Sequence, residues 1–290
     1  MQWPTFTVDS SAELEAVLLR QLAGTVCRGQ ADSCWGLQST IDRELDGQAE
    51  DAVRLEEERL LVTRFKGRGT STLNEWERLH LTTGAPRDCI LPATVMQHYG
   101  APTRLLDWSR SPMVACYFAV SSHPETDGSI WWFRGDEMES AMSEQWARMR
   151  WERGADGEID FHRYAYAEGC PDFLGFVSLR GPFPRAKAQD ALFTISRIGL
   201  DHRAPIAALL RPAAFGRVLV PASLKVACAQ RLAAAGWTAQ RLHLHRTQAD
   251  QVGAELTREL LSSRRAARAT STRTTGPLQP RNVPRASDRR

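Results

Sequence analysis

Between Gln97 and Ala119 the chain reads QHYGAPTRLLDWSRSPMVACYFA, and no other stretch constrains the fold as tightly. It passes directly from polar, turn-forming residues into an apolar helix. Gln97, His98, Arg104, Asp107, Ser109 and Ser111 crowd into fifteen positions. Gly100 is placed to close the preceding helix with a left-handed cap. Ser111 before Pro112 has the form of an N-cap followed by a first-turn proline, and Ser109 invites the same reading. The segment Pro112 to Val120 is apolar enough to require burial, so the polar groups before it stand on packed backbone. A helix N-terminus also suits an anion, which makes Ser109 and Ser111 candidates for holding a pyrophosphate.

On either side of this run the periodicity changes. Leu14, Val17, Leu18 and Leu22 recur as one helical face, closed by Gly24. Thr25-Val26-Cys27 then reads as a short strand that delivers Arg28-Gly29-Gln30 to its end. Trp35 to Leu45 suggests a turn and a short helix, while Asp51–Lys66 and Leu73–Leu81 read as amphipathic helices. Ser129–Phe133 is strongly β-prone, 136–153 helical, Leu192–Ile195 and Arg217–Val220 strand-like, and Pro221–Gly236 and Gln248–Leu261 helical. Helices first, then strands mixed with helices, predicts an α+β fold: a helical N-terminal half packed on a small mixed or antiparallel sheet. No glycine-rich phosphate loop of the common kinds occurs.

Composition narrows the classes further. The 290 residues, 42 % hydrophobic, are enough for a substantial core, and no window is apolar enough for a membrane span. With no basic-then-apolar leader at the N-terminus, a cytoplasmic location is expected. Six cysteines without a CxxC pair and seven dispersed histidines argue against a metal site; His243 and His245 would share one face of a strand. From Arg264 to Arg290 there are eight arginines and one acid, a net of +7, whereas the remaining 263 residues hold 29 basic and 33 acidic groups, a net of −4. The expected organisation is one domain over 1–246, a C-terminal helix over 247–263 and a disordered basic tail over 264–290. Such a tail can hold nucleic acid through phosphate contacts, although a merely solvated end explains it as well.

Several residues carry chemistry of their own. Arg28 on rigid strand backbone offers a forked donor for phosphate or carboxylate, or else a structural ion pair. Gly29 permits close approach of another chain or a ligand. His98 suits acid, base or donor roles, or a cap on its own helix. Arg104 and Asp107, three apart and flanking Leu105 and Leu106, belong either to a structural network or to a ligand site. Arg185, Gln189 and Phe193, spaced by four, would lie on one helical face if that stretch is a helix.

Arg28-Gly29-Gln30, the run Gln97–Ser109, Ser111-Pro112, Ala115 and Phe118-Ala119 resemble the FRG domain, named for a Phe-Arg-Gly triplet. The likeness extends over roughly residues 20 to 245, with Arg185, Gln189 and Phe193 resembling later positions. Cys27 departs from the usual Phe, and Asp190-Ala191 from the usual Gln-Gly. The order of an arginine on an early strand, serines leading into a helix and a later polar residue is similar to that of arginine-type ADP-ribosyltransferases. That similarity implies NAD as substrate. Arg28, Gln30, Arg104, Ser109 and Ser111 would bind it, and Gln189, Asp107 and His98 would act on it, Gln189 standing where the transferases often place a glutamate. A neutral amide stabilises a cationic centre poorly, so Asp107, Asp190 or Glu168 would have to compensate. The expectation is an NAD-binding ADP-ribosyltransferase-like enzyme, a toxin or antiphage effector. The alternatives are a non-enzymatic nucleotide or nucleic-acid binding module and a hydrolase built on His98 and Asp107.

Overall fold

The computed structural model describes residues 3–45, 51–69, 73–82, 90–148, 173–177, 183–196, 201–242 and 247–274. In chain order the elements are β1 (Thr5–Thr7), α1 (Ser11–Ala16, continued by a π-turn over Val17–Gln21), β2 (Thr25–Gln30), α2 (Thr40–Leu45), α3 (Asp51–Gly69), α4 (Glu75–Thr82), α5 (Ile90–His98) and β3 (Leu106–Ser109). Then follow α6 (Pro112–Val120), β4 (Gly128–Arg134), α7 (Gly135–Arg148), β5 (Leu174–Val177), α8 (Pro184–Ala188), β6 (Ala191–Ser196), α9 (Arg203–Leu209), β7 (Phe215–Val220), α10 (Ala222–Ala234) and α11 (Gln248–Thr274). The fold is α+β around one seven-stranded sheet of order β1-β7-β4-β2-β3-β6-β5. Among the described residues only β1 and β7 run parallel and the other pairings are antiparallel, so the sheet is mixed.

Strand alternation sorts the core into layers. Cys27, Ile130 and Val218 face α1, α6 and α10, where Leu14, Ala115, Ala119 and Leu232 complete one cluster. Val26, Trp108, Trp131 and Phe133 face the other way, against α7 and α9. A third cluster joins α2, α3, α5 and α11 to Phe193 and Ile195 of β6. The helical N-terminal half therefore packs on one end of the sheet.

Helix α6 lies unusually close to the sheet, and glycine is the reason. A Cβ at Gly29 would sit 1.7 Å from the Ala115 carbonyl oxygen, and one at Gly128 would sit 2.3 Å from that of Ala119. Both strands thus present bare backbone to the helix. Ser111 caps α6 as its pattern predicts, its Oγ accepting from the Val114 amide. Lys225, fully buried on α10, donates to the carbonyls of Ala31, Ser122, His123 and Thr126 at 2.7 to 3.2 Å. That ammonium ties the end of β2 to the loop that follows α6.

Some expectations change. In α4 the buried side is carried by Glu77 and Leu81, while Trp76 and Leu79 are exposed. The Tyr99 hydroxyl and the Asn74 amide, which donate to Glu77 at 2.7 and 2.9 Å, allow the carboxylate inside. Arg185 lies on α8, Gln189 caps that helix and Phe193 is on β6, so the three share no helical face. Helix α11 runs on to Thr274, taking in the first eleven residues of the arginine-rich stretch. His243, His245, Glu168 and residues 275–290 lie outside the described residues. Among the described residues, no helix is long and apolar enough to cross a membrane.

Gly29→Ala should lower stability by about 3 kcal/mol, because two backbones must separate to admit one methyl. Gly67→Ala on α3, where a Cβ meets nothing within 4 Å, should instead be neutral or slightly stabilising. Urea denaturation of the pair checks both.

Candidate functional site

The sheet is nearly two sheets. β2 pairs with β4 through six residues and β3 pairs with β6 through four, yet β2 and β3 pair at a single position, Cys27 with Ser109. Beyond that contact the pairing stops, which leaves an opening in the ladder. The Arg28 side chain crosses the opening: its Nη1 donates to the Asp107 backbone carbonyl at 2.8 Å and stands 3.6 Å from Asp107 Oδ2. A guanidinium thus occupies the place where ladder hydrogen bonds stop.

Arg28 is 16 % exposed and Asp107 47 %, so the arginine is largely buried and the carboxylate beside it is accessible. Arg28 Nε is buried and has no hydrogen-bond partner among the described residues. Burial pushes the Arg28 pKa down; Asp107 opposes that shift, and Arg43 adds to it. Arg43, exposed on α2, is held by the Gln38 carbonyl at 2.7 Å and Thr40 Oγ1 at 3.2 Å. The Asp107 carboxylate is also anchored from α5, through a 2.5 Å bond from Gln97 Nε2 to Oδ2. Gln97 can reach it because Gly100, at φ +72°, turns the chain back immediately after the helix.

The other candidates fall into separate groups. Ser109 is buried: its Oγ donates to the Gln189 carbonyl at 2.6 Å and accepts from the Ser111 amide at 2.9 Å. The Gln189 Nε2 donates to the Leu242 carbonyl at 3.0 Å. Ser109, Ser111 and Gln189 therefore form one knot at the start of α6, joined to the opening through the Cys27–Ser109 pair. Alternation turns Arg28 to the opposite face of β2 from Cys27. Gln30 is committed elsewhere, donating to the Gly36 carbonyl at 2.9 Å and accepting from Trp131 Nε1 at 2.6 Å. His98 ends α5 beside Gln97, its ring edge-on to Tyr99.

Arg104 does not pair with Asp107. Its Nε donates to Glu58 Oε2 at 2.7 Å and its backbone amide to Oε1 at 3.2 Å, with both side chains at most 2 % exposed. This buried ion pair holds the loop before β3 against α3, so of the two readings of Arg104 the structure realises the structural network. Glu58 escaped sequence reasoning because it sits in a charge-rich helix, where nothing distinguishes it from its exposed neighbours. Cys27 is fully buried; burial pushes its thiol up to about 12, which leaves it an apolar filler behind Arg28. Among the described residues no group of three or more His, Cys, Asp or Glu could hold a metal ion.

Behind the opening lies a histidine that the sequence offered only as one of a dispersed set. His202 is fully buried, its Nδ1 2.8 Å from Thr194 Oγ1 and its Nε2 2.9 Å from Ser196 Oγ. Trp108 Nε1 donates to the same Thr194 hydroxyl at 2.8 Å. Burial pushes the His202 pKa down to about 3; Asp201 opposes the shift and Arg28 reinforces it. An unfolded imidazole titrates near ~6.5, so between the two values the unfolded chain binds the extra proton. The stabilisation is complete above that range and is lost as pH falls toward the folded value. Wild-type protein should therefore lose about 2 kcal/mol from this group between pH 7 and pH 5. His202→Gln should flatten that part of a stability-versus-pH curve measured by urea denaturation.

Arg28, Asp107, Ser109 and Ser111 thus come from the neighbouring elements β2, β3 and the start of α6, although 79 positions of sequence separate Arg28 from Asp107. Residues 24–128 match the model of the FRG domain, whereas Arg185, Gln189 and Phe193 lie beyond the matched span. No curated protein and no solved structure matches the chain. The match to the FRG domain runs from Gly24, just before β2, to Gly128, the first residue of β4.

Proposed function

We propose that the opening between β2 and β3 binds NAD and that the protein acts on its ribose–nicotinamide bond, in the manner of an ADP-ribosyltransferase. One observation carries this reading: a largely buried arginine with a spare donor stands against a half-exposed carboxylate where the sheet divides. A guanidinium in that position suits a phosphate oxygen, since its fork donates along two directions at once. A carboxylate beside it suits the sugar. As the glycosidic bond breaks, its electron pair leaves with nicotinamide and positive charge gathers on the ribose C1′. An anion fixed close by lowers that barrier. The incoming nucleophile, water or an acceptor side chain, bonds to C1′ and releases its proton to the carboxylate or to solvent.

Asp107, rather than Gln189, is the residue for this part. The Gln189 amide is uncharged and its nitrogen is engaged by the Leu242 carbonyl, whereas Asp107 is charged and accessible. Such an activity fits a toxin or an antiphage effector, because either consumption of NAD or modification of an acceptor disables a cell.

Calorimetric titration with NAD and chromatographic measurement of released nicotinamide test the reading together. Wild-type protein should bind and release. Arg28→Lys, which keeps the charge but loses the fork, should weaken binding by about tenfold or more. Asp107→Asn should bind within a few-fold of wild type and release nicotinamide about 100- to 1,000-fold more slowly. Binding without release would favour a nucleotide-binding module over an enzyme, and absence of binding by folded protein would overturn the proposal.

A further inference from the structure

We infer that Gln97 and Thr103 act as a positioning pair that sets the direction of the Asp107 carboxylate; this rests on the reading of Asp107 as the reacting-side acid. The inference follows from hydrogen-bond accounting. The Leu105 amide donates to Thr103 Oγ1 at 3.1 Å, using a lone pair of that hydroxyl. The Thr103 O–H then donates to Gln97 Oε1 at 2.5 Å. An amide whose oxygen is claimed in this way must point its nitrogen in the other direction, where Gln97 Nε2 meets Asp107 Oδ2 at 2.5 Å.

The chain of donors therefore has one sense: Leu105 N–H to Thr103, Thr103 O–H to Gln97, Gln97 N–H to Asp107. It begins on backbone and ends on a carboxylate. Thr103 is fully buried, which keeps water from competing for its hydroxyl. Helix α5 supplies the rigid mount for Gln97, and Gly100 closes the loop that brings Thr103 back to it. Gln97 and Arg28 approach the same oxygen, Oδ2, from α5 and β2 respectively. Both constraints on Asp107 thus fall on that one atom, and Oδ1 is the oxygen directed to the sugar.

Length and charge both matter in this arrangement. Asparagine at position 97 would fall one methylene short. Glutamate would set a second carboxylate against Asp107, and alanine would leave the acid held by Arg28 alone. At position 103, serine keeps the hydroxyl and valine keeps only the shape. A residue that merely supports the fold would not separate these two substitutions by their effect on turnover.

Two measurements on the full chain decide the matter. In proton–nitrogen NMR of the wild type, the Gln97 side-chain amide should show widely split, slowly exchanging protons. Thr103→Ser should preserve that signature, and Thr103→Val and Asp107→Ala should collapse it toward the free-amide position. In nicotinamide release, Gln97→Ala and Thr103→Val should lower kcat about 10- to 100-fold with KM within about twofold, and Thr103→Ser should restore kcat. Unchanged kcat in Gln97→Ala, or a change in KM alone, would overturn the inference, the latter by making Gln97 a ligand contact. A wild type that releases no nicotinamide would remove the proposed function. The NMR comparison would still decide the relay, because a free-like Gln97 amide in the wild type overturns it without reference to activity.

Discussion

Everything at the centre of this protein depends on a sheet that is joined at one residue pair and bridged by one side chain. Where the pairing of β2 and β3 stops beyond Cys27 and Ser109, the Asp107 carbonyl takes its hydrogen bond from the Arg28 guanidinium rather than from a strand amide. A buried carbonyl left bare would cost about 1–3 kcal/mol, so the arginine is structural whatever else it does. Because a guanidinium has five donors and a backbone amide has one, the substitution leaves donor capacity unspent, the buried Nε included. Structure and binding are two uses of the same group.

Helix α6 holds the two halves of the sheet together from behind. It contacts β2, β3 and β4, and Gly29 and Gly128 let its backbone rest directly on theirs. Ser111 caps it, and Ser109 connects its first turn to the Gln189 carbonyl next to β6. The buried Arg104–Glu58 pair and the Lys225 ammonium perform the same service at greater distance, each fastening a loop that has no strand partner of its own. Charges inside this protein act mainly as fasteners, and Asp107 stands apart by being half accessible.

Much of this was legible in the chain. Pro112–Val120 reads as a buried helix because every residue from Pro112 onward is apolar or small, and Ser111-Pro112 marks its start. Gly100 reads as a cap because glycine alone enters the left-handed region without penalty. Arg28 at the end of an apolar triplet reads as planted on a strand, and it is. The pairings were not legible. Arg104 and Asp107, close in sequence, take partners 46 and 79 residues away, Glu58 and Arg28. The exposed Trp76 and buried Glu77 reverse the hydrophobic pattern of α4, since the Tyr99 hydroxyl, in the turn after α5, and the Asn74 amide satisfy the acid.

The sequence by itself determined most of the helices, the strands β2, β4, β6 and β7, the cap of α6 and the one compact stretch in which polar groups crowd against an apolar helix, because these follow from local sterics and periodicity; β1, β3 and β5 are too short to show a pattern. Only the tertiary structure decided which of those polar groups meet. Whether an arginine ends as a fastener or faces an opening depends on what long-range packing leaves unpaired around it. The division of the sheet beside Arg28 is a property of strand pairing between segments about eighty residues apart, which no local pattern encodes.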